Sequence, residues 1–449
     1  MENNNILNKN HIHFIGICGI SMSSLALLLV NNNIKITGSD IQYNQIIKEL
    51  RAKNIKVTIG HSENNIENDC DLVVYTGAIK EDNIELLTAK QNNIQTMERS
   101  EFLGLICKLF NNVIAVAGTH GKTTTTAMIA NIFSCAGLKP TVHLGGISNN
   151  FNSNILIGGN NYFITEACEY KNSFKYIKSD TCVITSTDPD HLDTYKNVTA
   201  LKKAYVNFAM NSNNIIITSS VKNISCKKNI LCVGLNFGDL YAKNLKCNEC
   251  GCYSFDCWKS DKYLANFKLN VIGEYNVYNA LCAIAVALEY KVSIAVIYDA
   301  LKGFKGVARR NEKIGEIAGI PVICDYAHHP TEIQKTIYAN RLIYKNIICV
   351  FQPHTYSRTL SFKREFANSF KGVKKLLIYK TYPAREQKID GGDAKDLFKV
   401  VKIKQENKYF IESKYKLKSI VYDNLKNIDC ILILGAGNIY NIAKNVFKS

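Results

Sequence analysis

Short apolar runs that are typical of β-strands alternate with longer segments that have the pattern of helices along almost the whole chain. In the first 110 residues, three apolar runs predict strands: HIHFIGI at 11–17, IKITGSD at 34–40 and DLVVYTGAI at 71–79. A helix is predicted from about Met22, after a turn that contains glycines. Strands that alternate with helices indicate a parallel sheet.

The pattern repeats in two further blocks. The second opens on VIAVAG at 113–118 and continues with a predicted helix at 123–136, strands at 162–165, 181–187 and 214–219, a β-rich stretch at 225–270 and a helix at 276–290. The third contains four apolar strands: 321–327, 346–352, 375–381 and 430–437. We therefore predict an α/β protein of three domains, at 1–110, 111–311 and 312–449.

Composition narrows the choice of partners. The net charge is +17, but Lys greatly outnumbers Arg and no run of five or more basic residues occurs, so we predict no nucleic-acid partner. The N-terminus lacks an apolar signal core, and no apolar run approaches the ~20 residues needed to span a bilayer. We expect a cytoplasmic protein without membrane insertion, acting as a monomer or weak homodimer.

Most of the sixteen cysteines stand singly within apolar runs, where they act as small hydrophobic side chains in a reducing compartment. One cluster differs: Cys247 and Cys250 have the spacing of half a zinc site. The full spacing to Cys257 is cramped for a tetrahedron, so we favour ordinary thiols over zinc.

The loop Gly118-Thr-His-Gly-Lys-Thr123 follows a predicted strand and precedes a predicted helix. Glycines let backbone N–H groups approach phosphate oxygens, and a helix N-terminus favours anions. Lys122 would reach the β- and γ-phosphates, and the Thr123 hydroxyl would bind Mg²⁺. Val116 stands where the full phosphate-loop pattern has its first glycine, so the loop is a shortened variant. It predicts an ATP site.

A magnesium ion needs further ligands. Glu166 follows one predicted strand and His191 follows another, and the carboxyl ends of parallel strands meet at one edge of a sheet. We predict that Thr123, Glu166 and His191 surround Mg²⁺, although His is an unusual ligand for this ion and, taken alone, His191 would more often be structural.

The first block contains a degraded dinucleotide fingerprint. Gly16 and Gly19 lie between a strand and a helix, and Asp40 ends the next strand. Cys18 and Ser21 stand where glycines are expected. The motif predicts a phosphate-bearing ligand near the helix start; ordinary packing glycines, or a nicotinamide dehydrogenase, remain alternatives that rest on this loop alone.

The third block places polar side chains at strand ends. Because DYAHHP at 325–330 and QPHTYSR at 352–358 end apolar strands, we expect His328, His329, His354 and Arg358 to converge on an anionic substrate. Arg310 precedes this block, where a domain movement would carry it onto a γ-phosphate.

Together these motifs resemble the Mur ligases of peptidoglycan synthesis, and the resemblance covers nearly the whole chain. The matching segments, in order, are 13–26, AVAGTHGKTTTTAM at 115–128, TEACEYKNSF at 165–174, DPDHLDTY at 188–195, 273–287, GVARRNE at 306–312, 325–333, VFQPHTYSRT at 350–359, YPARE at 382–386 and LILGAGNI at 432–439.

The resemblance implies three domains: a Rossmann-like domain for a UDP-sugar, a central parallel-sheet domain of the P-loop ATPase type and a Rossmann-like α/β domain for an amino acid. It implies ATP and Mg²⁺, an acyl phosphate on the lactyl carboxylate of UDP-N-acetylmuramate, and attack by L-alanine.

Residue by residue, the resemblance assigns the ATP phosphates to the loop, magnesium to Thr123, Glu166 and His191, and catalysis to Lys122, Glu166, His191 and Arg310. It gives these positions to the nucleotide: Gly118, Thr119, His120, Gly121, Lys122, Thr123, Thr124, Asn279, Arg310 and Asp325. It gives these to the UDP-sugar and the amino acid: Gly16, Gly19, Ser21, Asp40, His328, His354 and Arg358.

Two alternatives remain open. The nearer one is the recycling ligase of the same family, which attaches an intact tripeptide, and the motifs QPHTYSR and YPARE favour alanine over it. The other is a nucleotide-binding regulator that has lost catalysis. Five positions depart from the family pattern: Cys18, Cys168, Ser21, Tyr275 and Asn311.

Overall fold

The structure is a computed structural model that describes residues 6–41, 43–190, 194–221, 224 and 229–447. These residues form two compact units. One contains the described residues of 1–190, 194–234 and 282–297, and the other contains those of 235–281 and 298–449. Helices and strands alternate along most of both units, as the hydrophobic pattern predicts.

The N-terminal part of the first unit is a five-stranded parallel sheet with the order β3-β2-β1-β4-β5. Its elements are β1 (His11–Ile15), α1 (Ile20–Leu29), β2 (Lys35–Asp40), α2 (Gln45–Arg51), β3 (Lys56–Ile59), β4 (Leu72–Tyr75), α3 (Ile84–Gln91), β5 (Gln95–Glu98) and α4 (Arg99–Cys107). All five residues of β1 are buried, as expected for the central strand of a sheet covered on both faces. This strand order is that of a Rossmann-like domain.

A second sheet follows in the same unit, built on β6 (Asn112–Ala117), α5 (Lys122–Cys135), β7 (Thr141–Ser148), β8 (Ser153–Leu156), β9 (Tyr162–Glu166), β10 (Ser179–Ile184), α6 (Val198–Met210), β11 (Ser212–Thr218) and β12 (Ile230–Leu235). The strand order is β12-β11-β10-β6-β9-β7-β8, and only β8 in this set runs antiparallel to its neighbour. Because β6, β9 and β10 are parallel neighbours, their carboxyl ends share one edge, where ligands bind in open α/β sheets.

In the second unit, β13 (Leu240–Cys247), β14 (Cys252–Lys259) and β15 (Lys262–Ile272) form antiparallel pairs. Burial alternates along β14, as the β-rich pattern predicts. Cys257 is fully buried there, and burial raises the pKa of its thiol to about 12. Cys247 and Cys250 are exposed. The helices α7 (Tyr275–Glu289) and α8 (Ile294–Lys302) follow in sequence.

The C-terminal part of the second unit has a six-stranded sheet with the order β16-β17-β21-β18-β19-β20. Its elements are β16 (Glu312–Ile317), β17 (Ile320–Asp325), α9 (Pro330–Arg341), β18 (Ile347–Phe351), α10 (Tyr356–Ser361), α11 (Lys363–Ala367), β19 (Lys375–Tyr379), α12 (Ala394–Val400), β20 (Lys408–Ile411), α13 (Lys414–Asp423), β21 (Cys430–Leu434) and α14 (Ile439–Phe447). Apart from the antiparallel β16–β17 pair, the strands are parallel. Hydrophobic cores cover both faces, which explains the continuous apolar runs of β18 and β21.

Within the described part of the chain there are also five short 3₁₀ segments: Ile6–Asn8, Val30–Asn32, Glu63–Asn65, Tyr170–Tyr176 and Gln405–Asn407. No helix among the described residues has both the length and the apolar character that crossing a membrane requires.

Candidate active site

The loop between β6 and α5 lies against the residues that follow β10. Gly118 and Gly121 have φ angles of +133° and +84°, a region that favours glycine. A Cβ atom on Gly118 would lie 2.2 Å from Thr185 Oγ1. The N–H groups of Thr119 and His120 donate to the carbonyl and hydroxyl oxygens of Ser186, at 3.1 and 2.8 Å. The close approach therefore requires glycine at position 118, and the positive φ angle favours glycine at position 121.

Helix α5 begins at Lys122, and its N-cap, Gly121, offers no side-chain hydrogen bond. The N–H groups of the first turn thus remain available at the positive end of the helix dipole. Thr124 lies in this first turn and is partly exposed. The arrangement is suited to a phosphate group.

Lys122 is held by a buried carboxylate. Its Nζ atom lies 3.0 and 3.1 Å from the two carboxylate oxygens of Glu169, and it also donates to the carbonyl oxygen of Gly118. Glu169 is only 1% exposed. Burial lowers the pKa of Lys122, but the interactions that favour its charged form, led by the charge of Glu169, together outweigh burial and raise the pKa above its ordinary value. Lys122 is therefore a fixed positive charge at the loop.

Two of the three predicted magnesium ligands are neighbours. The Thr123 hydroxyl donates to Glu166 Oε2 at 3.0 Å, and Glu166 Oε1 accepts the N–H of Gly145 at 2.6 Å. Two oxygen ligands side by side suit a hard cation such as Mg²⁺. The third predicted ligand, His191, lies outside the described residues.

The glycine turn after β1 is organised by Asp40. Gly16 has a φ angle of +82°, and the N–H of Gly19 donates to its carbonyl oxygen at 3.1 Å. The Asp40 carboxylate accepts from the N–H groups of Cys18 and Ile41, at 3.0 and 2.8 Å. Helix α1 then begins at Ile20 without a side-chain cap, so this turn too presents a free helix N-terminus.

Ser21 links the two sheets of the first unit. Its hydroxyl lies 2.9 Å from His143 Nε2 and accepts from Arg99 at 3.2 Å, and the other ring nitrogen of His143 lies 3.0 Å from the Thr165 hydroxyl. Burial, and then the charge of Arg99, lower the pKa of His143 to about 3, so this ring is neutral. Neither Arg99 nor His143 was predicted from the sequence.

The buried carboxylate of Glu85, on α3, was also not predicted from the sequence. Glu85 is fully buried and accepts from the hydroxyl of Ser39 at 2.6 Å, while His61 Nδ1 lies 3.0 Å from it. Burial raises the pKa of Glu85, but its polar contacts, led by the His13 ring 3.9 Å away, together outweigh burial and lower the pKa to about 2. In the sequence, Glu85 is only an acidic residue next to apolar residues of a helix. Because that pattern is common on helix surfaces, it does not predict a buried carboxylate.

One cluster outside these sites has the geometry of metal ligands. Within the described ranges, the only group of close His, Cys, Asp or Glu ligand atoms is His11, Glu67 and Asp69. Lys35 donates to both carboxylates, at 2.6 and 2.8 Å. Lys56 also lies 2.7 Å from Glu67, so two lysines balance the two carboxylates and the group forms an ion-pair network.

In the second unit, two of the predicted nucleotide residues flank the antiparallel β16–β17 pair. Arg310 lies two residues before β16, and Asp325 is the last residue of β17. The Asp325 carboxylate accepts from the N–H groups of Asn311 and Ala327, both at 2.8 Å. Burial raises the pKa of Asp325, whereas the charge of Arg310 opposes this rise. Tyr275 is partly buried, and burial, followed by the charge of Asp325, raises the pKa of its phenol, whereas the charge of Arg310 opposes this rise.

The remaining nucleotide residue, Asn279, lies on α7 one turn beyond Asn276 and donates to its side chain at 2.9 Å. Asn279 is 6% exposed.

His328, His354 and Arg358 are brought together, as predicted. The rings of His328 and His354 lie 5.8 Å apart, and Arg358 Nη1 lies 3.4 Å from His354 Nδ1. His328 Nδ1 lies 3.3 Å from the Glu332 carboxylate. Tyr382, from the YPARE segment, stacks on His354 at 5.6 Å. The cluster combines a guanidinium with two imidazoles, groups that bind carboxylates and phosphates.

Comparison with known proteins agrees with this architecture. Three profiles match in succession: "Mur ligase family, catalytic domain" over residues 11–111, "Mur ligase middle domain" over 116–287 and "Mur ligase, glutamate ligase domain" over 309–437. The three sheets, the phosphate-type loop and these matches define an α/β ligase of three domains. The chain belongs to the Mur ligase family.

Individual relatives match over nearly their full length. The chain is 42% identical to a UDP-N-acetylmuramate–L-alanine ligase of Clostridium acetobutylicum, with 96% of each chain covered, and 40% identical to its namesake of Clostridium novyi, with 97% of each covered. Among solved structures, it is similar to a UDP-N-acetylmuramate–alanine ligase of Thermotoga maritima, with TM-score 0.83, 27% identity and coverage of 97% and 98%. A murein peptide ligase of Psychrobacter arcticus matches with TM-score 0.72, 25% identity and the same coverage.

Proposed function

We propose that this protein joins L-alanine to the lactyl carboxylate of UDP-N-acetylmuramate, using ATP, in the cytoplasm. A carboxylate is a poor acyl donor, because its leaving group would be an oxide ion. Transfer of the γ-phosphoryl group of ATP to the carboxylate gives an acyl phosphate and ADP. The alanine amine then attacks the acyl carbon, and phosphate leaves as the amide forms.

The observation that carries the proposal is the charged centre at the start of α5. Lys122 is a permanent cation beside uncapped N–H groups, and Thr123 and Glu166 lie next to it. Phosphoryl transfer depends on positive charge placed around the transferring group rather than on covalent chemistry by the protein. Thr123, Glu166 and His191 would hold Mg²⁺, which supplies further charge neutralisation when it is bound.

The glycine turn of the N-terminal sheet supports the assignment of the UDP-sugar. Its free helix N-terminus offers N–H donors to a pyrophosphate, and Ser21 lies in the first turn of that helix. In the second unit, Asp325, Asn279 and Arg310 would serve the nucleotide. His328, His354 and Arg358 would serve the amino acid, whose carboxylate a guanidinium can bind through two hydrogen bonds.

The choice of amino donor is tested by phosphate release from ATP and Mg²⁺. We expect release only when both UDP-N-acetylmuramate and L-alanine are present. D-alanine, glycine, L-serine and the tripeptide of the recycling reaction serve as the donor panel, with mass spectrometry of the products. Release with the tripeptide but not with L-alanine would show that the recycling function is the right one. If no donor in the panel supports phosphate release, the protein is not a ligase.

A further inference from the structure

A chain of hydrogen bonds connects the glycine turn after β1 to the carboxyl end of β9. Arg99 donates to the Ser21 hydroxyl at 3.2 Å, and this hydroxyl lies 2.9 Å from His143 Nε2. His143 Nδ1 lies 3.0 Å from the Thr165 hydroxyl, which donates to the main-chain oxygen of Glu166 at 3.2 Å. Because His143 and Thr165 are 3% and 0% exposed, the middle of the chain is shielded from water.

The hydrogen atoms of this chain point in one direction. Among the described residues, the Ser21 hydroxyl has hydrogen-bond partners only in Arg99 and His143, and a guanidinium cannot accept. The Ser21 hydrogen must therefore go to His143 Nε2. Since the ring is neutral and its Nε2 accepts, its own hydrogen is on Nδ1, from which it donates to Thr165.

Strand β7 holds the Glu166 carboxylate as well as His143. His143 is opposite Thr165 in the parallel β7–β9 pair, and Gly145, two residues further along β7, donates its N–H to Glu166 Oε1 at 2.6 Å. The His143 ring thus ties the first turn of α1 to the strand that holds Glu166. A displacement of α1 at Ser21 would reach both the main chain and the carboxylate of Glu166.

The serine that completes this chain is a departure from the family pattern, which has glycine at position 21. Neither glycine nor alanine supplies a hydroxyl, so either one would break the path from Arg99 to His143. A buried ring nitrogen without a donor is costly, whereas packing alone needs no hydroxyl at this position. The path is therefore a feature of this chain and not of the fold.

We propose that Ser21 is a positioning residue that couples the turn after β1 to the Glu166 carboxylate through His143 and Thr165. A pyrophosphate on the first turn of α1 restrains Ser21, and the chain passes that restraint to the carboxylate, which then binds a cation at a smaller entropic cost. The UDP-sugar and Mg²⁺ strengthen each other's binding by the same factor. The inference rests on the proposed function, because the identity of both ligands comes from it.

The Kd of UDP-N-acetylmuramate, measured by calorimetry, tests the coupling. The protein is saturated with β,γ-imido-ATP, which does not transfer its γ-phosphoryl group, and the Kd is measured first with EDTA and then with excess Mg²⁺. We expect Mg²⁺ to lower the Kd about tenfold in the unmodified protein and about twofold or less in Ser21→Ala. The same factor in both proteins would overturn the inference.

The two conditions also separate this inference from the proposed function. If UDP-N-acetylmuramate bound in neither condition, the proposed function would fail and the coupling with it. A purely structural hydroxyl would lower the melting temperature of Ser21→Ala and weaken binding equally in both conditions. The factor due to Mg²⁺ would then be unchanged, a result that overturns the coupling alone.

Ser24→Ala is the matched control. Ser24 lies on the same helix and is fully buried, and its hydroxyl accepts from Asn154, next to the start of β8, at 2.6 Å. The variant thus removes a hydroxyl that also joins α1 to the second sheet but is not on the path to Glu166. We expect the full tenfold factor. A fall as large as in Ser21→Ala would attribute the effect to general loosening of α1 and would overturn the inference.

Thr165→Val interrupts the same chain at its other end and keeps the shape of the side chain. We expect the same small factor as in Ser21→Ala, and no further fall when the two substitutions are combined. A full tenfold factor in Thr165→Val would mean that the coupling does not pass through this hydroxyl.

Nitrogen NMR of the His143 ring checks the direction of the chain without any ligand, with His143→Gln to assign the signals. We expect a protonated Nδ1 and an unprotonated Nε2. A protonated Nε2 would leave the Ser21 hydrogen without an acceptor, and that result would overturn the inference.

Discussion

Lys122→Ala is expected to lower kcat by about a thousandfold or more, as loss of a principal cation at a transferring phosphoryl group does. Lys122 is the one side chain that combines a guaranteed positive charge with a place at the start of α5. The measurement is phosphate release at saturating ATP, Mg²⁺, UDP-N-acetylmuramate and L-alanine. A kcat within a factor of about ten of the unmodified protein would refute the role of the loop.

The same substitution leaves Glu169 buried without its cation, which destabilises a protein by about 3–5 kcal/mol. Circular dichroism must therefore show that the variant is folded. The double variant Lys122→Ala with Glu169→Gln removes both charges and avoids this cost, and it should be equally inactive. Lys414→Ala is a matched control, because Lys414 is also the first residue of its helix, α13, and belongs to the other unit.

Glu166→Gln is expected to raise the Mg²⁺ concentration for half-maximal activity and to lower kcat, each by about a hundredfold. The substitution keeps the side-chain length and an oxygen that can still accept the Gly145 N–H. It removes the negative charge that makes the site attractive to a divalent cation. Titration of phosphate release with Mg²⁺ at fixed ATP measures both quantities.

Glu316→Gln provides the control for charge alone, since Glu316 is an exposed carboxylate whose ion-pair partner is Lys313. We expect an unchanged Mg²⁺ titration for this variant. If Glu166→Gln also left the titration unchanged, Glu166 would have to be removed from the proposed metal site and assigned to fixing the Gly145 backbone.

Strands with strong hydrophobic patterns could be predicted from the sequence, and weak ones could not. The run at 346–352 predicted β18 within one residue of each end, because a strand buried on both faces is apolar throughout. By contrast, β3 (KVTI) and β5 (QTME) are short and contain polar residues at half or more of their positions, so the sequence did not predict them. Their pairing with β2 and β4 comes from tertiary context that a short pattern does not contain.

The loop and the strand-end clusters could be predicted because their chemistry is local: glycines, a lysine and a threonine at the start of one helix. Partners supplied from a distance could not. Glu169 stands 47 positions from Lys122, and Arg99 stands 78 positions from Ser21. Neither spacing has a sequence signature, because each depends on how the sheets and their helices pack. Domain boundaries at 110 and 311 stay a prediction.

Activation of the lactyl carboxylate by ATP can be followed with an oxygen isotope. UDP-N-acetylmuramate labelled with heavy oxygen in both positions of the lactyl carboxylate is incubated with ATP, Mg²⁺ and L-alanine. We predict that mass spectrometry finds one heavy oxygen in the released phosphate and the other in the new amide. Phosphate that carries no heavy oxygen, with or without amide formation, would contradict activation through an acyl phosphate.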